Sequence, residues 1–205
     1  YETLTFYDRT RESEAVKSIY YRFADLAAIG TIADVMPIID ENRIIVKFGI
    51  SMLENTKRLG ILALMEAASL GSNPNVRQVV EGKARPNRSR KINSTYIGFT
   101  IAPRINAAGR ISSASRAVDL LLAEDESTAR KLAHELCEIN YTRQLEENRI
   151  AEEAYKKIEN ELDLQTQKVI VVADDDWLQG VVGIVSSKVT EKYGIQKHIR
   201  SILNI

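Results

Sequence analysis

Residues 101–110 read "IAPRINAAGR", two arginines and an asparagine set among small residues. The guanidiniums of Arg104 and Arg110 can each grip a phosphate through two parallel hydrogen bonds, and Asn106 adds a donor and an acceptor. Ala107, Ala108 and Gly109 allow a ligand or another backbone to come close. If Ser112 or Ser113 caps a following helix, its free N–H groups point at the same anion. The residues also allow a structural arrangement, with both arginines paired to carboxylates across a boundary between lobes. A basic run follows the same two-sided logic: Arg77, Lys83, Arg85, Arg88, Arg90 and Lys91 stand against Glu81 alone. It fits either a polyanion partner or a solvated loop.

Asp34 sits in the apolar turn "IGTIADVMP". A carboxylate there must be paired, capping, or bound to a metal, and the residues alone leave these open. One Asp cannot hold a catalytic metal pair, which needs several converging carboxylates or imidazoles. The two histidines, His134 in a helix and His198 near the end, belong to no metal-binding cluster in sequence. Asn140, Arg143, Gln144 and Glu147 recur at i, i+3, i+4 and i+7, a polar stripe that suits a solvated face or the wall of a nucleic-acid groove. The triplet Asp174, Asp175 and Asp176 reads as a strand-end turn or helix-capping cluster before a cation site.

These residues need elements to hold them. Apolar positions Ala15, Val16, Ile19, Tyr20, Phe23, Leu26 and Ala27 predict a helix from 12 to about 33, ending between Gly30 and Pro37. A second helix is expected over 42–58, burying Ile45, Phe48, Met52 and Leu53, and a third after Gly60 with Ile61, Leu62, Leu64 and Met65. Residues 71–95 read as an exposed connection, and "TYIGFTIA" (95–102) as an extended segment. A long charged helix without Gly or Pro is predicted over 127–162, a spanning element between two lobes. "KVIVVADDD" (168–176) predicts a buried strand, and 180–194 a helix packed on it through Val182, Ile184 or Val185, and Val189.

Composition sets the outer bounds. The 205 residues carry 28 Lys and Arg against 28 Asp and Glu, so an anionic partner must be met by a local patch. The lone Cys137 excludes a disulfide framework and a cysteine-based zinc site, and reads as a buried inert thiol. No apolar run approaches the roughly 20 residues of a membrane span. The first residue is Tyr, which leads us to expect a processed, trimmed or partial chain, cytoplasmic by default.

Three separated motifs then agree in order: "DLAAIGTIADVMPIIDENR" (25–43), "GFTIAPRINAAGRI" (98–111) and "DDDWLQGVVGIVSSKV" (174–189). Together they resemble the RecJ family of single-strand-specific 5′→3′ DNA exonucleases, within the DHH phosphoesterase superfamily, over about residues 20–194. The resemblance implies an α/β fold: the C-terminal helical part of a DHH lobe (1–111), a long connecting helix (112–165), and the first strand–helix unit of a DHH-associated lobe (166–205). It makes Asp34 the last acidic ligand of a two-ion Mn2+ or Mg2+ site. It puts Arg104, Asn106 and Arg110, with Asn140, Arg143 and Gln144 of the long helix, on the path of single-stranded DNA. It further implies work in DNA repair and recombination, as a monomer, beside a helicase and a single-strand-binding protein. Other DHH phosphoesterases, cleaving oligonucleotides, cyclic dinucleotides or pyrophosphate, and a non-catalytic nucleic-acid scaffold are the competing readings. Two departures stand out. The other metal motifs of the family would lie before residue 1, so this chain alone is expected to be inactive. Leu178 replaces a common His after Trp177, and from Ile195 the tail stops resembling the family, leaving the second lobe with one strand and one helix.

Overall fold

The computed structural model describes residues 9–69, 92–163, 169–194 and the backbone of 198–199. The basic run at 77–91 lies outside the described residues. Helix α1 (Arg9–Ala33) is followed by α2 (Asp40–Glu54) and α3 (Leu59–Ser69). A helical turn, α4 (Ser94–Tyr96), continues through a π-helical turn (Ile97–Ile101) into α5 (Ala102–Ile111). Then come α6 (Ser115–Leu121), the long α7 (Glu126–Glu161), strand β1 (Val171–Val172), α8 (Gln179–Tyr193) and strand β2 (His198–Ile199).

The apolar side chains form two clusters strung along α7. The first packs Ala28, Ile32, Leu53, Ile61, Leu64, Ile97, Ile101 and Leu120 against Ala129, Ala133, Leu136 and Cys137 on the N-terminal half of α7. The second packs Ile150, Ala154 and Ile158, further along the same helix, against Ile170, Val172, Trp177, Val181, Val185 and Val189. A fully buried side chain of this kind, cut back to Ala, costs about 2–5 kcal/mol. Helix α7 starts at Asp125, whose carboxylate accepts from the Thr128 N–H at 2.8 Å and the Ser127 hydroxyl at 2.7 Å. Those bonds hold its pKa down at about 2.

Glycines set how closely the helices cross. A Cβ on Gly49 would lie 2.2 Å from the Ala24 carbonyl oxygen, so only Gly lets α2 sit on α1. Gly60 meets the Leu120 carbonyl in the same way, at 1.9 Å, where α3 crosses α6.

Several expectations are corrected. Residues 95–102 are helical, because "TYIGFTIAP" carries the apolar spacing of a buried helix as well as that of a strand. Pro103 has no N–H and its ring crowds the carbonyl four residues back, and the helix widens there: the Ala102 N–H reaches back to the Ile97 carbonyl. On α1 the buried face is Ala24, Ala28, Ile29 and Ile32, whereas Val16, Ile19 and Phe23 are exposed. On α2, Val46 and Gly49 join Leu53 in the core, and on α3 Leu62 faces out. The predicted strand shrinks to Val171–Val172. The tail expected to add no strand contributes β2, parallel to β1, with Val171 opposite His198 and Val172 opposite Ile199. Among the described residues β1, α8 and β2 therefore form a β–α–β unit.

Candidate functional site

Asp34 stands at the C-terminal end of α1. The Val35 N–H donates to the Ile32 carbonyl and the Met36 N–H to the Thr31 carbonyl, the paired bonds that close a helix around a left-handed residue. That residue is normally Gly, yet here it is Val35, at φ 54° and 87 % exposed. A β-branched side chain is strained there. Asp34 is exposed, and among the described residues its carboxylate takes no hydrogen bond or ion pair. The position also opposes the negative end of the helix dipole, where a cation is favoured. A capping role is thus ruled out for this carboxylate: it is an acceptor held out to solvent at a strained turn. Among the described residues no group of three or more His, Cys, Asp or Glu could hold a metal ion. Asp34 alone does not fit a two-ion site.

The π-helical turn packs on this same end of α1, with Gly98 against Ile32, and brings α5 alongside. Within α5 the two arginines part company. Arg104 is buried and donates to the Thr100 carbonyl. Asn106 and Arg110 are exposed, four residues apart on one face. Arg110 donates to the Gly180 carbonyl at 3.0 Å, and a Cβ on Gly180 would lie 2.1 Å from the Arg110 carbonyl oxygen. Arg110 thus crosses between the two clusters, but to a backbone carbonyl rather than to the carboxylate that the sequence allowed.

The α7 stripe is not a solvated face. Asn140 is 1 % exposed and its Oδ1 has no hydrogen-bond partner among the described residues. Arg143 is tied to the buried Glu147, whose other oxygen binds Lys188 of α8 at 2.6 Å. Gln144 is exposed. Asn140 and Arg143 are therefore held inside the helix packing, and only Gln144 of the three is offered to a partner.

At the second cluster, Asp174 binds Lys157 at 2.8 Å and accepts from the Asp176 N–H at 3.0 Å, which depresses its pKa. The Trp177 indole donates to Glu153 at 2.9 Å, and Arg149 donates to the Asp176 carbonyl at 3.2 Å. The acidic triplet is a turn pinned to α7. Leu178 takes the N-cap position of α8 and supplies no side-chain cap. Sequence reasoning missed the buried Asp25, held by Arg58 Nε at 2.7 Å, and Lys188, because the partners lie far apart along the chain.

No protein-family profile matches the chain. It is 41% identical over 170 residues to the single-stranded-DNA-specific exonuclease RecJ of Bacillus subtilis, covering 82% of this chain and 19% of that protein. The RecJ of Haemophilus influenzae is 41% identical over 172 residues, with 82% of this chain and 27% of that protein covered. A crystal structure of RecJ from Thermus thermophilus with Mg2+ superposes with a TM-score of 0.69 at 31% identity, over 88% of this chain and 25% of that one. A RecJ structure bound to manganese gives 0.67 at 32% identity, over 88% and 40%. The chain spans about a fifth to a quarter of the length of the curated relatives it matches. On sequence and fold together, more than four fifths of this chain matches a segment of the RecJ exonucleases.

Proposed function

We propose that this chain is the strand-binding segment of a RecJ-type exonuclease, one that degrades single-stranded DNA from its 5′ end. The observation that carries the reading is the exposed pair Asn106 and Arg110 on α5, in the helical segment whose π turn sets Gly98 against Ile32, two residues before Asp34. Arg110 keeps guanidinium N–H groups beyond the one given to Gly180, and these can take a phosphate in the plane of its fork. Asn106 and Gln144 add neutral contacts. Arg104, Asn140 and Arg143 hold the wall from behind. Asp34 serves as one acidic ligand among several for Mn2+ or Mg2+, the ions with which RecJ structures were solved. Strand binding of this kind follows the backbone, so it is largely blind to sequence and weakens with salt. The surroundings we propose are cytoplasmic, with a helicase and a single-strand-binding protein supplying the strand; no helix of the described residues is long and apolar enough to cross a membrane.

The test is a salt titration of binding to a fluorescent single-stranded oligonucleotide and to its duplex. The expected result is preference for the single strand, with Arg110→Ala lowering the salt slope by about one phosphate. Equal binding of duplex, or an unchanged slope, contradicts the reading.

A further inference from the structure

Phe99 is 81 % exposed although it lies between Ile97 and Ile101, which are both fully buried. It sits in the π-helical turn, a distortion that often marks functional positions. The widened turn directs Ile97 and Ile101 into the core and leaves Phe99 on the outer side. Counting forward, Phe99, Pro103, Asn106 and Arg110 recur at i, i+4, i+7 and i+11, one face of the continuous helical segment. Exposure agrees with that spacing: Asn106 and Arg110 are exposed, whereas Ala102, Arg104, Ala107 and Ala108 on the other faces are buried. The aromatic ring thus follows Gly98, which packs on Ile32 two residues before Asp34, and it begins a strip whose other end is a guanidinium at the junction with α8.

We infer that Phe99 is a stacking platform for a nucleobase of the bound strand, at the end of the strip away from Arg110. This rests on the single-strand reading above and deepens it. Phosphate groups carry the charge that Arg110 meets, but a bare phosphate grip does not tell single strand from duplex. A ring that needs an unpaired base face does, because the bases of a duplex are already stacked on each other. Phe has no polar edge, so the contact discriminates strandedness without discriminating sequence. Its position on the strip makes the base at that end the one it holds.

The experiment compares a thymine oligonucleotide with an abasic strand of equal length. The proteins are the native chain, Phe99→Ala, Phe99→Trp and Arg110→Ala. Phe99→Ala is expected to weaken thymine-strand binding about tenfold, a stacking-sized loss. It should leave abasic binding and the salt slope unchanged, whereas Arg110→Ala weakens both strands and lowers the slope. Phe99→Trp should retain affinity, and its indole emission should be quenched by the thymine strand but not the abasic one. The native Trp177, 2 % exposed, provides the unresponsive background. Phe99→Ala binding the thymine strand as tightly as the native chain overturns the stacking role and leaves the single-strand reading standing. So does an equal loss on abasic strand, or a lower unfolding midpoint that accounts for the loss. A native chain that binds neither strand overturns both.

Discussion

Arg110 has two partners to serve, the Gly180 carbonyl in the second cluster and, on our reading, a phosphate. A lysine in its place keeps the charge but loses the planar fork. Arg110→Lys is therefore expected to weaken single-strand binding several-fold while keeping most of the salt slope, read by anisotropy across a salt series. Asp125 makes a separate prediction about acid stability. Its pKa lies at about 2 in the folded chain against an ordinary 3.8, lowered by the bonds from Ser127 and Thr128. A depressed carboxylate stabilises the fold above its unfolded pKa and loses that contribution as the pH falls from about 4 toward 2. Asp125→Ala should lower the thermal midpoint at neutral pH and flatten its dependence over that acid window. An acid profile identical to the native one would remove the cap from the account.

At the scale of elements, the closest helix crossings and the strained turn give opposite mutational signs. Gly49→Ala places a methyl 2.5 Å from the Ala28 Cβ and against the Ala24 carbonyl, and Gly180→Ala drives into the Arg110 carbonyl. Each should lower stability by roughly 1–3 kcal/mol in denaturant melts, the usual cost of overpacking. Val35→Gly should raise stability by about 1 kcal/mol, because Gly takes the left-handed position without strain. A Val35→Gly chain no more stable than the native one would mean that the turn carries no strain. Long helices were legible in the sequence: α7 was expected at 127–162 and runs from Glu126 to Glu161. The turn at Asp34 and the α8 helix were legible too, since Gly, Pro and periodicity punctuate them. Residues 95–102 were not, because alternating and helical apolar spacings coincide over eight residues and the π turn ahead of Pro103 follows neither period. The stripe on α7 misled for another reason. Its Glu147 is buried by Lys188, a residue 41 positions away that no local pattern reveals.

At the scale of the molecule, α7 is the spine on which both clusters are built, and the proposed strand-binding strip runs along α5 to its junction with α8. The ion pair from Lys188 to Glu147 and the Arg110–Gly180 bond tie the two clusters together around this point. Asp34 has no companion ligands among the described residues, so the chain by itself is expected to release no mononucleotides from 5′-labelled single-stranded DNA in Mn2+. Robust turnover would show that the described residues miss part of a working centre. The most direct test of the central claim is a chimera in which residues 20–194 replace the matching segment of the Bacillus subtilis RecJ. The account predicts that this chimera, unfolding at the parent's temperature, degrades single-stranded but not duplex DNA, and that Asp34→Asn within it abolishes hydrolysis. A folded chimera without exonuclease activity, or one indifferent to Asp34→Asn, would contradict it.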